Sequence, residues 1–265
     1  PKGDFTDYDG GLCPEMVKYC EKDVALTKKL YSRLKSLLRS EGFSEASEAL
    51  EHSVAIVTQQ QELNGFAFDS QAATELYVTI TSRMNQIRLE LQNTFPPIIT
   101  ERISEKTGKR LKDNVEEFNI GSRQQIAKRL QSLGAKFKKT TEKGSIVVDE
   151  STLASVDLPE AKLCAEYLML QKREGLLNSW FKHCADDGRI HGRVITNGAV
   201  TGRMTHNSPN MAQIPSTSAP YGEQCRACFT VDEGNVLVGI DASGLELRML
   251  AHYMRDPEYV KEILE

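Results

Sequence analysis

Apolar positions recur at helical spacing through most of the first 184 residues, and only afterwards does the pattern shorten toward strands and turns. From Pro14, a residue suited to the first position of a helix, Val17, Cys20, Val24, Leu30, Leu34 and Leu37 or Leu38 roughly follow one inner stripe to about residue 39. Residues 45–64 and 70–95 carry two further helical patterns, separated by the turn-like Asn64-Gly65. Ser70 is placed to cap the second, and Pro96-Pro97 stops it. Residues 100–114 are polar and basic around Gly108 and read as a loop or hairpin. Ser122 and Gln125 have capping-box spacing at the start of a helix that Gly134 ends. Ile146 to Val148 is a brief apolar segment. A long helix follows from Pro159 to about Cys184, with Leu163, Tyr167, Leu170, Leu177 and Phe181 on its apolar stripe. Trp180, the only tryptophan, is expected in the core.

At Asp186-Asp-Gly188 the pattern changes. Residues 189–195 alternate toward a strand, and Asn197-Gly198 is a hairpin signal. The apolar, partly β-branched run 236–240 predicts a buried strand that stops at Asp241. Ala242-Ser243-Gly244 allows a tight turn, after which Leu247, Leu250, Ala251 and Met254 make one apolar helical face. Asp256-Pro257 begins a last short helix. A carboxylate thus stands between a strand end and a helix start. Residue types alone leave two roles open for it: capping the helix, or holding a hard cation such as magnesium through oxygen ligands.

Composition narrows the class without choosing the chemistry. The chain has 265 residues, enough for one large domain or two to three smaller ones, with apolar and charged fractions of 40% and 26%. No apolar run approaches the roughly 18 residues of a membrane span, and no secretory signal opens the sequence. It begins with Pro1, as a segment cut from a longer product would. Cys225-Arg-Ala-Cys228 is a lone pair with no second pair or nearby histidines, so the six cysteines read as reduced thiols of a cytoplasmic protein, not a zinc site. The net charge is −4, but residues 100–143 hold twelve Lys and Arg against six Asp and Glu, and residues 189–226 hold four against one. Locally positive faces of that kind can meet a phosphate backbone even on an acidic protein.

Asp241-Ala-Ser-Gly-Leu-Glu-Leu-Arg248 resembles motif A of the family A (polymerase I-like) DNA polymerases, nearest to the replicative enzymes of T-odd bacteriophages. Thr201-Gly-Arg203 and Asn210-Met-Ala-Gln213-Ile-Pro215 resemble two further motifs of that family, with Ala212-Gln213 where Gln-Asn is usual. Phe118-Asn-Ile-Gly-Ser122 resembles an element supporting its thumb and palm. Tyr19-Cys-Glu-Lys-Asp23 resembles the third motif of the proofreading exonuclease that precedes the polymerase.

The resemblance implies an α+β protein: a mostly helical thumb followed by the first half of an antiparallel-sheet palm. Residues 1–40 would end the 3′–5′ exonuclease domain, 41–185 form the thumb, and 186–265 begin the palm. Asp241 would be a catalytic aspartate binding two Mg2+ ions, joined by the Ala242 carbonyl, with Glu246 under the sugar of the incoming dNTP. Arg203, Asn210, Gln213 and Arg226 would contact primer–template DNA. Asp23 would bind metal and Tyr19 orient water in the exonuclease site, but that site's other carboxylates would lie before residue 1, so proofreading by this chain alone is not expected. The fingers helix and the His-Asp-Glu hairpin with the second catalytic aspartate would lie beyond residue 265, in a C-terminal partner fragment. The link between Pro97 and Phe118 is too short for the insertion that recruits thioredoxin in the phage relatives. The expected function is template-directed DNA synthesis as a fragment or split subunit; the alternative is a catalytically inert primer–template binding module.

Overall fold

Helix α3 (Ser70–Thr94) turns Ala73, Leu76, Ile80, Met84, Ile87 and Leu91 inward at spacings of three and four, and all six are buried. They pack on α6 (Pro159–His183), whose Leu170, Leu177 and Trp180 are buried opposite them. These two helices are the frame of one of two compact units in the computed structural model, which describes residues 13–103, 106, 108–137, 139, 140, 144 and 146–264. Residues 1–12 and Lys138 of the basic stretch 100–143 lie outside the described residues.

This unit comprises Gly65–His191 and Ser208–Glu265. Its sheet has three very short antiparallel strands in the order β4 (Arg189–Ile190), β1 (Phe66–Phe68), β7 (Phe229–Thr230), with Phe66 opposite Ile190 and Phe68 opposite Phe229. Phe68 meets Trp180, Phe181 and Phe229 with ring centroids 5.6–6.4 Å apart, mostly edge to face. That cluster joins sheet to helix and places Trp180 in the core, as its sequence context predicts. Arg83 on α3 forks onto Glu166 on α6 with bonds of 2.7 and 2.8 Å.

The remaining elements follow local signals. Helix α4 (Arg123–Ser132) starts at Ser122, whose Oγ accepts from the Gln125 N–H, while Gln125 Oε1 takes the Asn119 N–H at 2.7 Å. Gly134, at φ 92°, stands just past its end. Strands β2 (Ile98–Ile103) and β3 (Arg110–Glu116) pair antiparallel, with Ile99 opposite Val115. Asp149 caps the short α5 (Glu150–Ala154), which the apolar spacing does not predict. For α3 the cap is Asp69, accepting from Ala72 N–H at 2.9 Å, in place of the expected Ser70, which is the first helical residue.

The other unit runs to Asn64 and adds Gly192–Asn207. Helix α1 (Pro14–Ser40) opens with Pro14 at its first turn, but buries none of its residues: Val24, Leu30 and Leu34 of the predicted inner stripe are 64%, 57% and 48% exposed. The stripe is amphipathic, yet no described element covers it. Helix α2 (Glu45–Asn64) is tied to α1 by Lys35 Nζ on Glu48 at 2.7 Å. The predicted strand 189–195 divides at His191-Gly192. Its second half, β5 (Arg193–Ile195), pairs with β6 (Thr205–Asn207), with Val194 opposite His206. Asn197-Gly198 does lie in a hairpin, but residues 196–204 form a long connection, not a two-residue turn.

Candidate functional site

The run 236–240 leads into the carboxylate Asp241, and its environment departs from expectation. Residues 236–240 form no strand: among the described residues nothing pairs with them, and Val236, Val238 and Ile240 are 81%, 74% and 95% exposed. Apolar, β-branched composition favours an extended backbone, but a strand needs a neighbour for its N–H and C=O groups, and none is supplied here. The following helix α8 (Leu245–Met254) forms where predicted. Of its apolar face only Ala251 is buried; Leu247, Leu250 and Met254 are about half exposed. Helix α9 (Pro257–Leu264) packs beside α8.

Asp241 does not cap α8. The N-cap position belongs to Gly244, in the left-handed region at φ 62°, and no side chain caps the helix. The Asp241 carboxylate therefore stands exposed, four residues ahead of the first helical residue, with Ala242 beside it. Glu246 lies in the first turn of α8, where the helix dipole favours a carboxylate. Two residues on, Arg248 Nε donates to the Ser243 carbonyl at 3.1 Å and closes the turn between them.

In the same unit, Asn210 and Gln213 bracket a single 3₁₀ turn (Met211–Gln213), which Asn210 caps by accepting from Ala212 N–H at 3.0 Å. Buried Pro209 and Pro215 flank it, leaving Gln213 exposed. Arg226 sits on α7 (Gly222–Ala227), and its Nε donates to the Pro215 carbonyl at 2.8 Å. Asn210, Gln213 and Arg226 are thus parts of one local structure. Gly222, at the start of α7, is packed so closely on the Ser216 carbonyl that a Cβ has no room there. Cys225 and Cys228 of the C-x-x-C face inward, and burial pushes both thiols up, Cys228 to about 11. Protonated, buried thiols fit packing, since a metal takes the thiolate.

Arg203 and the exonuclease-like pair belong to the other unit. Arg203 is exposed in the β5–β6 connection, where its carbonyl accepts from Ala199 N–H at 3.1 Å. The hairpin is held by two carboxylates of α2: Glu62 accepts from Val194 N–H at 2.6 Å and Glu51 from Asn197 Nδ2 at 2.9 Å. Tyr19 and Asp23 lie one turn apart on α1, both exposed. Sequence reasoning missed Glu51, Glu62 and Arg173, whose Nε donates to the Pro220 carbonyl at 3.2 Å. Their partners lie 47 to 146 residues away, and no local pattern marks them.

Helices with three small antiparallel sheets, and a motif-A-like turn feeding α8, define a polymerase-type α+β chain. The family model of DNA polymerase family A matches residues 78–265, and the chain belongs to that family. The DNA-directed DNA polymerase of Escherichia phage T7 is 37% identical over an alignment covering 94% of this chain and 48% of that protein, and its counterpart from Enterobacteria phage T3 gives the same figures. DNA polymerase I of Aquifex aeolicus (strain VF5) is 27% identical over 93% of this chain and 41% of that protein. The chain thus spans about half the length of the phage relatives it matches. Each phage alignment runs over 336 positions, more than the 265 residues here, so those relatives carry segments this chain lacks. A structure described as the POL domain of Pol1 from M. smegmatis in complex with DNA primer-template and dNTP shares the fold, with a TM-score of 0.61 at 20% identity over 76% of this chain and 33% of that one.

For magnesium, Asp241 and the Ala242 carbonyl are hard oxygen donors of the right kind, but they are part of a ligand set. Among the described residues no three His, Cys, Asp or Glu side chains cluster to hold an ion.

Proposed function

We propose that this chain carries the thumb and first palm portion of a DNA-directed DNA polymerase, which extends a primer 3′ end with dNTPs on a template strand in phage-type replication in the host cytoplasm. One observation carries the reading. The Asp241 carboxylate is exposed ahead of α8 and is not engaged in capping it, so it is available to a cation. In this reading residues 1–40 end an exonuclease domain, of which Tyr19 and Asp23 are a remnant, 41–185 are thumb and 186–265 are palm.

Asp241 and the Ala242 carbonyl contribute to a site for two Mg2+ ions, whose remaining carboxylates come from a partner fragment with the fingers and the rest of the palm. When bound, such ions acidify the primer 3′-hydroxyl and hold the leaving pyrophosphate. Glu246, in the first turn of α8, faces the sugar of the dNTP and disfavours a 2′-hydroxyl. Arg203, Asn210 and Gln213 donate to minor-groove acceptors, which every base pair presents alike, or to phosphates, so they hold DNA without reading sequence. Arg226, beside them on α7, acts on that surface through the Pro215 carbonyl and is not itself assigned a DNA contact. The short link across β2 and β3 leaves no place for a thioredoxin-recruiting insertion, in keeping with the longer alignments to the phage enzymes.

A second reading is favoured by the unpaired, exposed run 236–240. Alone, the chain is a primer–template binding module without chemistry. Primer extension with Mg2+ separates the two, comparing the chain alone with the chain plus a fragment bearing the fingers and His-Asp-Glu hairpin. Extension only in the mixture supports a polymerase completed by that fragment. Intact DNA binding with no extension in either leaves the binding module.

A further inference from the structure

Segment 210–222 is gripped at two carbonyls by two arginines from different helices. Arg226 Nε on α7 donates to Pro215 O at 2.8 Å, and Arg173 Nε on α6 donates to Pro220 O at 3.2 Å. Between them the backbone is folded on itself, with Ala219 N–H on Ser216 O at 3.0 Å and Gly222 N–H on Ala219 O at 2.8 Å. The packing of Gly222 on the Ser216 carbonyl fills the remaining space. Helix α7 is itself fixed to the core, because Cys225 and Cys228 are fully buried and Phe229 immediately pairs with Phe68 in the sheet. A continuous mechanical path therefore runs from the sheet through α7 and Arg226 to Pro215, and from there to Gln213 and Asn210.

We infer that Arg226 and Arg173 are positioning residues that hold Asn210 and Gln213 at a fixed place and angle for primer–template DNA. The inference rests on the reading of those two residues as DNA contacts. Each guanidinium, always charged, makes a charge-assisted bond from Nε to the carbonyl it serves and so tethers the segment to its helix. Pro215 is buried, so losing Arg226 removes the partner of a carbonyl that water reaches poorly.

The test uses the whole chain, with Arg226→Ala and, at the other end of the segment, Arg173→Ala. Three quantities are measured: affinity for a primer–template duplex, its dependence on salt, and amide hydrogen exchange at Ala212, Gln213, Ala219 and Gly222. Arg226→Ala should weaken binding about fivefold, the effect of one hydrogen bond. The slope of log affinity against log salt should be unchanged, and exchange at Ala212 and Gln213 should rise about tenfold. A slope smaller by about one would make Arg226 a direct phosphate contact and overturn the inference. So would unchanged exchange and affinity. Should Arg226→Ala fail to fold, Arg173→Ala decides by faster exchange at Ala219 and Gly222 or its absence. If the unsubstituted chain binds no primer–template, the reading of Asn210 and Gln213 as DNA contacts falls, and the exchange result still judges the brace.

Discussion

The carboxylate of Glu62, at the end of α2, takes the backbone N–H of Val194 across 132 residues of sequence, at 2.6 Å. That bond ties the hairpin carrying Thr201-Gly-Arg203 to a helix. A half-buried, charge-assisted bond of this kind contributes about 1–2 kcal/mol. Glu62→Ala should speed hydrogen exchange at Val194 and across β5 and β6 by about tenfold, leaving the other unit's amides unchanged. Uniform protection in the variant would show that the hairpin does not depend on this carboxylate.

Gly222→Ala should destabilise the unit containing α7, because the added methyl meets the Ser216 carbonyl and backbone must move. Overpacking of this kind costs roughly 1–3 kcal/mol. Thermal unfolding reads the loss. A midpoint equal to that of the unsubstituted chain would mean the loop yields without strain.

Asp241→Ala should abolish primer extension in the assembled enzyme while primer–template affinity stays within about threefold, since a ligand to metal is removed and no DNA contact. Extension near the unsubstituted rate would take Asp241 out of the reaction. Glu246→Ala should shift the ratio of ribonucleotide to deoxynucleotide incorporation, and an unaltered ratio would refute its sugar-facing role.

Arg203→Ala should weaken primer–template binding by about 1–3 kcal/mol, the range of a charge-assisted contact, and by the same factor on duplexes of different sequence. Filter binding on several duplexes decides. A loss confined to particular sequences would exclude contact to groove acceptors common to all base pairs.

Asp149 gives a pH dependence. The side chain of Thr152, its backbone N–H and the Ser151 hydroxyl, all beside the carboxylate, hold its pKa down, to about 2. A depressed folded pKa stabilises the fold above the ordinary carboxylate range and loses that contribution as pH falls through about 2. Asp149→Ala should therefore lower the thermal midpoint at pH 7, with a smaller difference near pH 2. An equal difference at both values would assign the effect to packing of α5 alone.

The helices were legible because their determinants are local. Pro14 and Pro159 open α1 and α6, Gly134 follows α4, and the Ser122/Gln125 pair forms its bonds much as the spacing predicts. Of the predicted α6 stripe, Leu170 and Leu177 are buried and Leu163, Tyr167 and Phe181 half-buried, with Ala161, Cys164 and Trp180 completing the inward face. The same logic overreaches on α1 and α8, where an apolar face exists without a covering partner. Periodicity shows that a surface wants burial, but only another element can provide it. The strand expected at 236–240 fails for the same reason, and strands β1 and β7 escaped notice because two or three residues carry no detectable alternation.

The sequence by itself determined the helical frame, the carboxylate ahead of α8 and the motifs that mark the family, since each is written in residues within a turn or two of one another. Tertiary structure alone decided that Asp241 leaves the cap of α8 to Gly244, that Phe229 and Phe68 share a sheet, and which residues brace the candidate contacts. Glu62 finding Val194 and Arg173 finding Pro220 depend on how distant segments are brought together by a shared core, and no local spacing encodes that meeting.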